Sequence, residues 1–160
     1  MGEVALRTSK LDEAAARYQE ALGLFRQIKS PLGEANCIHG LGEVALQSSK
    51  LDEATERYQE ALGLFRQAKN PLGEANCIRG LGEVALQRSQ PDKAQEHLRE
   101  ALQQYERLPD LLEIGKVHKS LARIAPDAAT RKQHIELALD AWNRLGNKVL
   151  ADELLKEFPE

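Results

Sequence analysis

Cysteine is scarce in this chain: Cys37 and Cys77 are the only two in 160 residues. They occupy the same place in successive copies of a repeat. Stacked helix pairs would hold such equivalent positions roughly 20 Å apart, far beyond disulfide reach. Neither has a Cys or His partner at ligand spacing. Both are expected to be small buried packing residues in a reducing compartment, without redox or metal chemistry.

A surplus of positive charge is also missing. Lys and Arg number 22 against 25 Asp and Glu, for a net charge of −3. That leaves no concentrated positive field for a phosphate backbone, so no nucleic-acid partner is expected. No apolar run approaches membrane-spanning length, and the opening MGEVALRTSK has no signal-peptide core. The expected setting is cytoplasmic, with no membrane association. The sequence contains no glycine-rich phosphate loop, no HExxH and no GxSxG. The G-x-G within GLGEVAL lies inside a helical pattern and follows no strand, so it fails the context of a nucleotide fingerprint. His39, His97, His118 and His134 fall on different helical patterns and are expected to be exposed or groove-facing. No catalytic residue, metal or cofactor is therefore expected.

What the chain does have is repetition. Gly2–Leu41 and Gly42–Leu81 differ at seven of 40 positions: Arg7/Gln47, Thr8/Ser48, Ala15/Thr55, Ala16/Glu56, Ile28/Ala68, Ser30/Asn70 and His39/Arg79. A third copy opens at Gly82 with GEVALQ and then drifts. Self-similarity at a fixed period of this size predicts a solenoid.

Each unit divides into two amphipathic helical patterns. Helix A runs from about Pro31 to Ser48, with Ala35, Cys37, Ile38, Leu41, Val44, Ala45 and Leu46 at spacings of three and four. Pro31 suits the first turn and Ser30 a cap. After the break Ser48-Ser49-Lys50, helix B carries Leu51, Ala54, Tyr58, Ala61, Leu62, Phe65 and Ala68 inward. Glu53 and Arg57 form an i, i+4 pair on its outer face. Asn70-Pro71 ends it. Glycines inside a helix cost about 0.5–1 kcal/mol each against alanine. Gly40 and Gly42, recurring as Gly80 and Gly82, therefore mark points where helices must cross closely, with Tyr58 and Phe65 filling the space between pairs.

The pattern Leu41-Gly42, Ala54, Tyr58, Ala61 resembles the tetratricopeptide repeat. The third unit matches with Leu81-Gly82, Ala94 and Ala101 but has Leu98 in the aromatic place; the first matches with Gly2, Ala14, Tyr18 and Ala21. The period of 40 exceeds the usual 34, the surplus falling in GLFRQAKNPLGEA, and Ala45 stands where helix A usually carries an aromatic. This long form is similar to the arrays of kinesin light chains, of spindle-orientation adaptors and of bacterial signalling ATPases. The resemblance spans residues 2–145. It implies an all-α, right-handed α-solenoid of antiparallel helix pairs, with about four repeats and a C-terminal capping helix. Residues 1–160 would form a single repeat domain, with units at about 2–30 (a truncated first unit), 31–70, 71–109 and 110–145, and the capping helix at 147–158.

After Gln90 the units diverge. Pro91 to Leu108 reads as the third helix B, Leu111 to Ile124 as the fourth helix A with Leu121-Ala122 replacing Leu-Gly, and Pro126-Asp127 as a shorter turn. Ala128 to Leu145 reads as the fourth helix B with Ile135, Ala138, Leu139 and Trp142 inward, and Gly146 as its C-cap. The last helix should bury Val149, Leu150, Leu154, Leu155 and Phe158 and turn Asp152, Glu153 and Lys156 to water, as a terminal cap does. The first helix A keeps only its second half, about Gly2 to Thr8. That suggests either a segment cut from a longer array or an apolar end that pairs with another copy.

The resemblance also implies that helix A lines a concave groove. The groove-facing stripe should hold Asn36, His39, Glu43 and Gln47, then Asn76, Arg79, Glu83 and Gln87, then Lys116, Lys119 and Arg123, with Glu3 and Arg7 from the first unit. Two columns result: His39, Arg79, Lys119, which is basic, and Glu3, Glu43, Glu83, Arg123, which is acidic until its last member. Asn36 and Asn76 offer a donor and an acceptor each to a peptide backbone. The family's Lys/Asn carboxylate-clamp pattern is not reproduced, because Glu43 and Glu83 take the Asn place, so an Hsp90-tail receptor is not implied. Glu43 with Arg79, and Glu83 with Lys119, could instead pair between repeats.

The expected function is a noncatalytic protein–protein interaction scaffold that binds a peptide or partner helix in the groove, with an acidic or carboxylate group of the ligand on the basic C-terminal half. The alternatives are a self-assembling module, a homo-oligomer through the N-terminal end, and a regulatory array from a larger signalling protein.

Overall fold

A computed structural model describes the backbone of residues 2–159 and the side chains of residues 8–159. The described residues form α1 (Gly2–Gln27), α2 (Pro31–Gln47), α3 (Leu51–Gln67), α4 (Pro71–Gln87), α5 (Pro91–Arg107), α6 (Leu111–Arg123), α7 (Ala128–Arg144) and α8 (Lys148–Glu157). Each helix packs antiparallel on the next, which makes an all-α solenoid. The A helices are α2, α4, α6 and α8; the B helices are α1, α3, α5 and α7. α2 also packs directly on α4, so the A helices form the inner row of the stack. No described helix is long and apolar enough to cross a membrane.

Local chemistry sets the helix ends. Ser30 accepts a hydrogen bond from the Gly33 N–H at 3.3 Å, and Asn70 from Gly73 at 2.8 Å. Asp110, Asp127 and Asn147 cap α6, α7 and α8 in the same way. The turns between helices rest on left-handed residues: Lys29, Ser49, Lys69 and Ser89 have φ of 52° to 58°. The Lys50 N–H reaches back to the Ala45 carbonyl at 2.9 Å, closing one such turn. Gly146, at φ 75°, ends α7 as its position in the sequence predicts.

The first unit departs from this rhythm. Thr8-Ser9-Lys10, the counterpart of the Ser48-Ser49-Lys50 turn, is helical within α1. A turn there would require a left-handed residue and a half-length helix to fold back on a few contacts. One continuous helix satisfies the same backbone groups without that cost.

Small and large side chains interlock between units. Tyr58 is 1% exposed. A Cβ placed on Gly42, in its own unit, would lie 2.9 Å from its ring, and one on Gly80, in the next, 2.5 Å. Tyr18 stands in the same way over Gly40. Phe25 covers Gly33 and Phe65 covers Gly73, where a Cβ would come within 2.2 Å and 2.3 Å of the ring; this second glycine series carries no signal in the Leu-Gly pattern. Gly23 and Gly63, by contrast, have nothing within 4 Å. Gly80→Ala is therefore expected to lose about 1–3 kcal/mol to overpacking, while Gly63→Ala gains about 0.5–1 kcal/mol. Urea unfolding midpoints of the two variants should move in opposite directions.

Cys37 and Cys77 are free and buried, and burial pushes the Cys77 thiol up to about 12, so it stays protonated at neutral pH. In the last helix only Ala151 and Leu154 are buried, with Leu150 and Phe158 half-buried. Val149 and Leu155, expected inward, are 67% and 48% exposed. Leu155 follows the Asn147 cap by the interval that separates Ile38 from Ser30, so it points toward the place where a B helix lies in the earlier units.

His118 also departs from expectation. It is 6% exposed, at the place of the core residues Ile38 and Ile78, and its Nδ1 lies 3.1 Å from Nδ1 of His134 on α7. One imidazole N–H donates to the other ring. Burial, then the neighbouring His134, lower the His118 pKa to about 4 from an ordinary 6.5. Burial, then Arg99 on α5, lower that of His134. The unfolded chain therefore binds more protons than the folded one between about pH 6.5 and 4, and stability falls as pH drops through that window, by about 3 kcal/mol for His118. His118→Ile, which copies the earlier units, should flatten this acid limb in denaturation curves measured across pH.

Candidate interaction groove

The residues of the expected stripe differ in exposure along the A helices. Asn36, Gln47 and Gln87 are exposed, and His39, Glu43, Asn76, Glu83 and Lys116 are half-buried. Glu3 and Arg7 lie outside the described side chains. The ring of His39 tilts against Tyr58 at a centroid distance of 5.6 Å. Burial lowers its pKa against the opposing pull of Glu43.

The basic column is tied down by acids rather than open. Arg79 lies between two carboxylates, Glu113 at 2.8 Å on α6 and Glu43 at 3.6 Å on α2. The side chains of Arg79 and Glu113 are only 13% and 12% exposed. Their Nε···Oε2 approach is a charge contact without hydrogen-bond alignment. Burial alone would lower the Arg79 pKa; the surrounding negative groups, led by Glu113, outweigh it and raise the value. Glu113 also accepts from Lys116 at 2.5 Å. Asn76 accepts from the Tyr105 hydroxyl at 2.7 Å, which fixes its amide orientation.

Further along, Glu83 accepts from the Ser120 hydroxyl; Lys119 instead meets Glu157 of α8 at 2.9 Å. Arg123 grips the same carboxylate, Nε at 2.7 Å and Nη2 at 3.2 Å. These contacts, led by the Arg123 hydrogen bond, hold the Glu157 carboxyl below its ordinary range. On the outer side, Arg57 pairs with Glu60 at 3.4 Å, not with Glu53. Arg26–Glu34 at 3.5 Å and Arg66–Glu74 at 3.6 Å repeat one link between each B helix and the next A helix.

The inner face is thus a ladder of charge contacts running from α2 to α8. Three of its members escape the repeat pattern. Glu113 stands where the earlier units have Gly33 and Gly73. Ser120 replaces Gly40 and Gly80. Glu157 is displaced from the 40-residue register because α6 has 13 residues where α2 and α4 have 17; the connection before α7, expected to be a shorter turn, is not shorter than those after α2 and α4. The loss of glycine at the first two places is the one sequence signal that marks them. Among the described residues, no group of three or more His, Cys, Asp or Glu could hold a metal ion.

Residues 1–67 match the family model of the tetratricopeptide repeat, and the eight-helix stack continues the same pairing through the rest of the described chain. The first 67 residues are thus of tetratricopeptide repeat type. No curated protein sequence matches it. Among solved structures, BtubC (BKLC) from P. vanneervenii is similar, with a TM-score of 0.70 over 97% of this chain and 74% of that chain at 16% identity. That likeness is one of fold. Tetratricopeptide repeats generally mediate protein–protein interactions, and helical repeat folds of this kind are typically noncatalytic.

Proposed function

We propose that this chain is a noncatalytic scaffold whose A-helix groove holds an extended or helical segment of a partner protein. The observation that carries this reading is the division of labour along the inner row. Arg79, Glu113 and Asn76 are occupied in bracing one A helix against the next. Asn36, Gln87 and Lys116 project beyond them from α2, α4 and α6, with more of each side chain in solvent. A braced row keeps its side chains in place before the ligand arrives, which reduces the ordering cost of binding. An acidic group of the partner would sit at the Lys119–Arg123 end, in competition with Glu157. The setting proposed is cytoplasmic.

Lys119→Glu with Arg123→Glu tests this reading in the full chain. Both residues are partly exposed, so their pairs with Glu157 contribute little to stability. The variant is expected to keep its unfolding midpoint and to lose affinity for the partner captured by the unaltered chain. Undiminished affinity would remove the acidic-ligand reading.

A second reading is favoured by α1. Tyr18 and Phe25 are only half-buried, whereas Tyr58 and Phe65, their identical counterparts in α3, are buried. A second copy could cover this face. Sedimentation velocity over a range of concentrations decides it: a single concentration-independent monomer contradicts self-association.

A further inference from the structure

Away from the groove stripe, a notch of about 180 Å³ opens between α3, α4 and α5. Gln59 of α3, Arg88 after α4, Gln90 before α5, and Lys93 and His97 of α5 supply its polar walls. No carboxylate lines it. Asp52 reaches Arg88 from the rim, with its own side chain almost wholly in solvent. Among the described residues, the side chains of Gln59, Gln90, Lys93 and His97 have no internal partner, and Nδ1 of His97 is buried without one. Gln59 and Lys93 are exposed and Gln90 and His97 half-buried, so water serves most of these groups; the buried His97 Nδ1 is the polar atom among them that would ordinarily be satisfied within the protein.

The start of α5 adds to it. Gln90 makes no side-chain cap bond, so the first-turn N–H groups that follow Pro91 are left without a side-chain acceptor. The helix dipole places partial positive charge at the same end. Comparison with the preceding unit sharpens the assignment. The places of Arg88, Lys93 and His97 are held there by Ser48, Glu53 and Arg57. Lys93 has thus replaced the one carboxylate among them, and the guanidinium has moved from the place of His97 to that of Arg88. Lys and Arg can only donate, so the set calls for a ligand that accepts several hydrogen bonds and carries negative charge. At about 30 Å³ per water, the space corresponds to about six waters, enough for a tetrahedral oxyanion that retains part of its hydration.

We infer that this notch binds a phosphoryl-type oxyanion, with Arg88 and Lys93 supplying charge and His97, Gln59 and Gln90 supplying directional contacts. The group can come as a free ion or as a phosphorylated side chain on another protein. The inference is independent of the groove reading, because the notch shares no residue with the groove stripe.

The test is a titration of the full chain with inorganic phosphate at constant ionic strength, followed by backbone amide and imidazole NMR signals, with chloride as the control. Saturable shifts confined to residues 88–97 and the facing part of α3 are expected. Arg88→Ser with Lys93→Glu restores the residues of the preceding unit, so the variant is expected to fold, as its circular dichroism and unfolding midpoint will verify. It should bind phosphate about tenfold or more weakly. A phosphoserine peptide run beside its unphosphorylated twin separates the sources. Tighter binding than phosphate assigns the group to a partner protein; equal or weaker binding assigns it to the free ion. Unsaturable shifts scattered over surface Lys and Arg residues, or binding unchanged in the folded double variant, would overturn the assignment.

Discussion

Arg79→Ala should cost about 3 kcal/mol of folding stability, because it leaves the buried carboxylate of Glu113 with Lys116 of its own helix as counter-charge and no partner on α4. The same change removes the 3.6 Å contact with Glu43, so α4 loses a charge link to the A helix on either side. The size of the effect reflects the penalty of a buried carboxylate that has lost its interhelical partner, not the net worth of the pair. Arg79→Met with Glu113→Leu should therefore recover most of the loss, since apolar residues of similar volume often replace a buried pair without harm. Urea denaturation of the two single variants and the double variant closes the cycle. Single and double losses that simply add would contradict the pairing. The preceding unit supports this logic: it has His39 and Gly73 at the corresponding places, so both members of the pair are changed together.

Tyr58→Ala should cost a similar amount, about 3–5 kcal/mol. The ring fills the gap between two helix pairs, with Gly42 on one side and Gly80 on the other. Neither glycine can extend to fill the cavity left behind. The next unit shows how the joint adapts: Leu98 takes the place of Tyr58, and Ser120 takes that of Gly80. A smaller knob accompanies a larger floor. Tyr58→Leu alone should leave a void, whereas Tyr58→Leu with Gly80→Ser should be more stable than Tyr58→Leu. Thermal unfolding of the three variants measures that coupling. If adding Gly80→Ser deepened the loss, the interlocking account would fail.

The periodic features of this protein are the ones its sequence discloses. Helix boundaries, the Leu-Gly crossings and the inward Tyr58, Phe65 and Trp142 all follow from a 40-residue register and a three-to-four spacing, because packing between equivalent helices repeats with the sequence. The features that escape are those the register does not carry. α1 runs straight through its expected turn because a local break needs a folded partner on both sides. His118 is buried because it inherited a core position from isoleucine, which composition alone reads as polar and exposed. Val149 and Leu155 are apolar yet exposed because no further helix covers them in the described chain. Along the A helices, the pairing of the charged residues was legible only in part. Arg79 chose Glu113 as well as Glu43, and Lys119 chose Glu157 over Glu83. Ion pairs depend on distances between helices that sequence spacing does not fix, and Glu157 is brought to Lys119 and Arg123 out of register because α6 is shorter than α2 and α4.

The claim on which the functional reading rests is that partners meet the inner face of the stack. Site-specific photo-crosslinking in the source cells tests it most directly. A crosslinking residue is placed at Asn36, Gln87 or Lys116 on the A helices, and at Glu100 or Glu106 on the B helices as controls. All five substitutions fall on side chains with solvent access, so the stack should tolerate each. The account predicts one shared protein adduct from the three inner positions and none of it from the two outer ones. The same adduct arising from the B-helix positions, with the inner positions silent, would contradict it.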